Sequence, residues 1–172
     1  MDWTVLPLRI AVAALLLVAP APLLAVTPPA EANAGAIVLR PLSLIKKTDM
    51  DFGTLITSAT AGTATIDPVT GALATTGGVT PVGNATSAAT FIGAGSRNAP
   101  YQIRLPNKPI TLTRVGGGGT MTVTNWTLDG ATNRRVGPNE AFQFGVGAQL
   151  TVAANQADGT YVGTFDVTVH YP

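Results

Sequence analysis

The clearest pattern in the chain is the alternation of apolar and polar residues from Gly159 to Tyr171. Side chains on a β-strand point in turn to opposite faces. One face would carry Tyr161, Gly163, Phe165, Val167, Val169 and Tyr171. The pattern predicts one long strand that is apolar on one side and polar on the other. A strand in this position either lies inside a complete sheet or forms an edge that a partner strand extends.

Shorter apolar stretches with the same two-residue period follow one another along the chain, separated by Gly and Pro. Examples are Tyr101–Leu105, Met121–Leu128 and Ala141–Val152. In the second of these, Met121 and Val123 are predicted to face one side, and Trp126 and Leu128 the other. Because no helical period of 3.6 residues is found after residue 34, we expect an all-β fold, an Ig-like antiparallel β-sandwich.

The first strand candidate, Ala36–Lys46, changes its apolar phase in the middle. Ile37 and Leu39 share one face, whereas Leu42 and Leu44 share the other. The change falls at Arg40-Pro41, and proline has no amide proton to donate to a sheet. We interpret this stretch as two short functional pieces.

The N-terminus resembles a secretory signal peptide. Arg9 precedes an apolar run, and small residues follow at Ala30, Ala32 and Ala34. We expect residues 1–34 to be removed, with cleavage between residues 25 and 34, and residues 35–172 to form a single β-sandwich domain. The sequence predicts no membrane span after cleavage. We expect the protein to be exported through the periplasm to the cell surface or to an extracellular fibre.

The charge of the chain is low for its size. Charged residues make up 11% of the sequence, and the formal net charge is +1, whereas soluble domains average roughly 25% charged residues. A balance this close to neutral argues against nucleic acid as a partner. A surface poor in charge suits a protein that packs against other subunits. Because the chain has no cysteine, cysteine nucleophiles and thiolate metal sites are excluded.

Candidate catalytic residues are few. His170 is the single histidine, and it falls on the polar face of the last predicted strand. Asp49 and Asp51 point the same way in a strand and could be read as an acid-base or cation pair, but they stand beside Lys46-Lys47 and fit an exposed charge cluster better. We therefore predict no enzymatic activity, no catalytic or metal-binding residue and no cofactor.

Several motifs of the mature chain resemble a known family. The segments PLSLIKKTDMDFGTL, YQIRLP, GTMTV and VGAQLTVAANQADGTYVGTFDVTVHY are similar to a bacterial family of exported β-sandwich domains of unknown function. That family in turn resembles subunits of chaperone-usher pili, including the archaic spore-coat-U type. The resemblance implies like or related subunits as partners, joined by strand exchange, together with a periplasmic chaperone and an outer-membrane usher.

The position of the two terminal segments agrees with this resemblance. The resemblance implies that Ile37 and Leu39 are the apolar residues of a donor strand. The acceptor strand then presents Tyr161, Phe165, Val167, Val169 and Tyr171. The function predicted is that of a pilin-like structural subunit, assembled by β-strand addition. The alternative is a self-complete secreted or surface domain that binds a glycan or protein through its loops, Gly93–Pro100 or Gly130–Asn139, with Trp126 or Tyr101 in an open pocket.

Overall fold

A computed structural model describes residues 31–172 of the chain. Residues 1–30 of the predicted signal peptide therefore lie outside the described part of the chain. The eleven strands within the described part are Ser43–Thr48 (β1), Thr54–Ile66 (β2), Leu73–Val82 (β3), Ala89–Ala94 (β4), Pro100–Arg104 (β5), Ile110–Arg114 (β6), Thr120–Leu128 (β7), Asn133–Arg135 (β8), Ala141–Val152 (β9), Tyr161–Val162 (β10) and Thr168–His170 (β11).

All pairs of strands are antiparallel. The larger sheet runs in the order β1-β4-β9-β7-β6-β10, with β2 pairing β9 and β3 pairing β2. A smaller sheet has the order β11-β5-β8. Strand β9 is long enough to pair β4 along its first half and β2 along its second. The result is a curled, sandwich-like arrangement, and the all-β prediction is confirmed.

The apolar residues form two clusters within the unit Ile37–Pro172. In the first, the aromatic residues of β4 and β9 meet the smaller sheet, where Tyr101 is 2% exposed and stacks on Phe142 with 4.2 Å between ring centroids. Burial raises the pKa of the Tyr101 phenol. The second cluster lies between β2, β7 and the end of β9. Within residues 31–172, no helix is long and apolar enough to cross a membrane.

A β-bulge in β7 changes the predicted faces of that strand. The pairing with β9 shifts by one residue between Thr124 and Thr127, and Asn125 has a φ of 49°, which asparagine tolerates better than most residues. The extra residue turns Trp126 and Leu128 to the interior, where both pack against the first cluster. The prediction that they face away from Met121 and Val123 is therefore wrong.

The C-terminal segment is not one long strand. Its beginning, Tyr161–Val162, pairs with β6, and its end, Thr168–His170, pairs with β5 of the smaller sheet. Residues 163–167 between them belong to no strand. Gly163 lies so close to β6 that an added Cβ would be 2.7 Å from Leu112 Cδ2 and 2.8 Å from the Thr111 carbonyl oxygen. The segment leaves one sheet at this contact and crosses to the other while keeping its alternation.

The N-terminal segment also differs from the prediction. The first strand begins at Ser43, and Ile37–Leu42 form no strand. Strand β2 begins at Thr54. In between, Asp51 makes an isolated antiparallel bridge to Ser87. The phase change at Arg40-Pro41 therefore coincides with the passage from an extended segment into the first sheet.

The turn between β2 and β3 is held by one carboxylate. Asp67 Oδ1 accepts hydrogen bonds from the Val69 and Thr70 amides at 2.9 and 2.8 Å and from the Thr70 hydroxyl at 2.9 Å. These bonds, those from Thr70 first, lower the pKa of Asp67 although its carboxyl group is exposed.

A carboxyl group with a lowered pKa stabilises the folded state at pH values above its unfolded pKa, about 3.9, and this contribution disappears as the pH falls through the lower folded pKa. We expect Asp67→Ala to lower the urea midpoint at about pH 7 and to have less effect at about pH 2.5. The measurement is the difference in midpoint between the variant and the wild type across this range. Val69→Ala in the same turn is the control, since its difference should not depend on pH.

Candidate strand-binding groove

Two antiparallel segments enclose a groove on one side of the sandwich. One wall is the chain from Leu44 to Thr57, and the other is Gly159–Val167. The larger part of the groove is a cavity of about 840 Å³, and the smaller part, beside β1, has about 300 Å³. Both parts are lined by Met50 and Phe165. They are therefore adjacent sections of one groove.

The floor of the groove is apolar. Lining side chains that also pack against the two clusters are Leu44, Met50, Phe52, Leu55, Ile110, Leu112, Met121, Trp126, Phe165 and Val167. The Phe165 ring lies 4.7 Å from the Trp126 ring and 6.4 Å from the Phe91 ring, measured between centroids. None of these lining residues is fully buried. The groove thus exposes part of the core that a closed sandwich would cover.

The backbones along the groove keep free hydrogen-bonding positions. Strand β1 pairs only with β4 among the described strands, so its outer edge is open. On the other wall, the backbone groups of Thr164, Phe165 and Asp166 make no hydrogen bond to another described residue. Strands β10 and β11 are each the last strand of their sheet. An extended peptide in the groove would find backbone partners at its sides and apolar side chains beneath it.

Tyr171 lies outside the groove lining and joins the C-terminus to the segment before β1. Its hydroxyl donates to the Arg40 carbonyl oxygen and accepts from the Ser96 amide, both at 2.8 Å. The Arg40 amide donates to Ser96 Oγ at 2.6 Å, and the Arg40 guanidinium forms an ion pair with Glu140. These contacts fix Arg40, so the segment Ile37–Leu39 leaves the domain at a defined point.

The predicted assembly residues occupy three different environments. Tyr161, Phe165 and Val167 line the groove. Val169 faces the first cluster from β11, and Tyr171 bonds to Arg40 outside the groove. The donor residues are separate from all of these: Ile37 and Leu39 are 90% and 41% exposed in the segment before β1. The structure thus brings together three of the five acceptor residues and leaves the two donor residues in solvent.

The groove also contains residues that the sequence did not assign to strand assembly. They are Met50 and Phe52 in one wall and Leu112 on β6 in the floor. Trp126 on β7, which the sequence placed in an open pocket only under the binding-domain alternative, lines the groove as well. The alternation of Met50 and Phe52 indicates only that these side chains pack against apolar neighbours. It cannot show that one side of the core stays open, because the opening depends on where the distant C-terminal segment lies.

The other candidate sites contribute less. Tyr101 belongs to the core, and it lines no part of the groove. Asp49 is paired with Lys46, and Asp51 accepts a hydrogen bond from the Gly53 amide at 2.7 Å, as expected for a surface turn. Within residues 31–172 no three His, Asp or Glu side chains are grouped in a way that would hold a metal ion.

Comparison with known proteins adds one finding on relationship. No curated protein and no solved structure matches the chain. A family model matches residues 42–171, from just before β1 to Tyr171 after β11. The matched range contains both walls of the groove and excludes Ile37 and Leu39. The chain therefore belongs to the family described as a domain of unknown function, DUF4402.

Proposed function

We propose that this protein is a structural subunit of a cell-surface or extracellular fibre, joined to its neighbours by β-strand addition in the groove. The observation that carries the proposal is the apolar groove between two backbone segments with unpaired edges. An extended chain lying in the groove would direct alternate side chains toward the apolar floor. The exposed segment with Ile37 and Leu39 is suited to act as the strand that this subunit offers to the next.

The proposal includes export before assembly. It is supported by the signal-like N-terminus, by the low content of charged residues, and by the resemblance of the terminal segment to pilin subunits. In this scheme the groove is covered by a periplasmic chaperone during transit and by another subunit in the fibre. Burial of each apolar side chain of the incoming strand contributes about 1.5 to 3 kcal/mol before the cost of ordering the strand.

The binding of a strand is tested with a neutral peptide of roughly nine residues, the length of the wall Gly159–Val167 at about 3.3 Å per residue. The probe is capped at both ends, with Ile at alternate positions and Ser between them. We expect saturable binding to the purified domain by isothermal titration calorimetry. Leu112→Glu should weaken it at least about tenfold, because a carboxylate would then lie against the apolar strand.

The matched control is Thr111→Glu, the neighbouring position on β6, whose side chain is exposed on the opposite face. This variant should bind within about threefold of the wild type. Circular dichroism checks the fold, and Leu112→Ala replaces the Glu variant if the latter unfolds, with about threefold weaker binding expected. No binding of the peptide, or equal effects of the Leu112 and Thr111 variants, would contradict the proposal.

A further inference from the structure

The charged side chains that line the groove are mostly acidic. They are Asp49, Asp51, Asp158 and Asp166, with Lys46 as the single lining cation. The described chain from residue 35 onward has seven acidic residues in all. More than half of them therefore border one groove, in a protein whose overall charge is close to neutral.

Two of these carboxylates are already compensated by cations. Asp49 forms an ion pair with Lys46, and Asp158 Oδ1 lies 3.9 Å from the Arg114 guanidinium. Lys47, the next residue of β1, does not line the groove. Asp51 and Asp166 form no ion pair with any residue of the described part.

The position of Asp166 shows how an occupant would meet this charge. Phe165 and Val167 on either side of it pack on the first cluster, so Asp166 is directed to solvent at the rim. A strand lying beside Gly163–Val167 would have its own outward side chains next to Asp166. Opposite charges on neighbouring strands stabilise the pair, and like charges destabilise it.

The chain's own N-terminal segment does not complement this rim. Residues 31–39, EANAGAIVL, contain Glu31 and no basic residue. Arg40, which follows, is held by Glu140, Ser96 and Tyr171. A second copy of this chain would therefore bring no cation to Asp51 or Asp166.

We infer that the groove receives a strand of a different protein, with apolar residues facing inward and lysine or arginine at outward positions. The inference rests on the proposed strand addition and specifies the partner: a different subunit that offers a basic strand. The acidic rim selects this strand against the protein's own N-terminal segment. Each exposed ion pair adds a small increment, so the selection depends on several of them acting together.

The test compares four capped peptides on the wild-type domain: the neutral probe, the same probe with two outward Ser residues replaced by Lys, its Glu counterpart, and the native segment 31–39. We expect the Lys peptide to bind about tenfold more tightly than the Glu peptide, and more tightly than the native segment. The difference should shrink at high salt, since exposed charges are screened. Asp51→Asn with Asp166→Asn should reduce it to about threefold or less.

The control is Asp67→Asn, which removes an acidic charge outside the groove and should leave the Lys preference unchanged. Equal affinity for the Lys and Glu peptides overturns the inference, as does tightest binding of the native segment. In both cases strand addition itself stands. Failure of all four peptides to bind would instead contradict the proposed function.

Discussion

Replacing Asn125 by valine is expected to lower the free energy of unfolding by about 2 kcal/mol or more. Asn125 has a φ of 49° at the β7 bulge, and holding a β-branched residue in this left-handed region costs about 1 to 3 kcal/mol. If the bulge is lost instead, the pairing of β7 with β9 shifts, and Trp126 and Leu128 leave their inward positions. The hydrogen bond of 2.8 Å from Asn125 Nδ2 to Gln149 Oε1 is lost as well.

The measurement is urea unfolding followed by tryptophan fluorescence. Asn125→Gly is the matched control, because glycine adopts the positive φ of this position and keeps the bulge. We expect the control to stay within about 1 kcal/mol of the wild type. A valine variant as stable as Asn125→Gly would show that the positive φ at the bulge does not contribute to the stability of the domain.

Replacing Phe165 by alanine is expected to destabilise the domain by about 3 kcal/mol. Truncation of a buried Phe costs about 3 to 5 kcal/mol, and Phe165 falls at the lower end because it is half-buried. It also contacts two aromatic rings, those of Trp126 and Phe91. The backbone of Phe165 pairs with no strand. Its side chain is therefore the main contact that holds the segment crossing between the sheets.

The effect of Phe165→Ala is measured by urea unfolding, together with amide hydrogen exchange of β10 and β11. Exchange should accelerate in both strands, because they flank the released segment. Thr164→Ala changes the adjacent, exposed residue and should remain within about 0.5 kcal/mol of the wild type. A loss below about 1 kcal/mol for Phe165→Ala would mean that the backbone of this wall is held by other contacts.

Much of the architecture follows from the local pattern of residues. The two-residue period, with Gly and Pro between the runs, predicted an all-β antiparallel fold, and the structure confirms it. The phase change at Arg40-Pro41 likewise marks a real boundary between an exposed segment and β1. Local alternation is informative here because it reflects which side chains avoid water, whatever the neighbouring strand is.

The pattern was misleading where one residue changes the pairing. In β7 the alternation breaks at Asn125, and the sequence predicts that Trp126 and Leu128 face away from Met121 and Val123. The bulge compensates for the break, because one extra residue rotates the strand by half a period. A bulge is defined by the register with its partner strand, and the register is not visible in a single sequence.

By itself, the sequence determined that Gly159–Tyr171 is amphipathic, that Phe165 and Val167 face a core, and that no thiol takes part in the chemistry of this chain. Only the tertiary structure decided that this segment crosses from β6 to β5 and leaves a groove opposite Met50 and Phe52. Alternation records the faces of a segment, which depend on its own side chains. An open edge depends on which distant segments lie beside it, and this is decided by the packing of the whole domain.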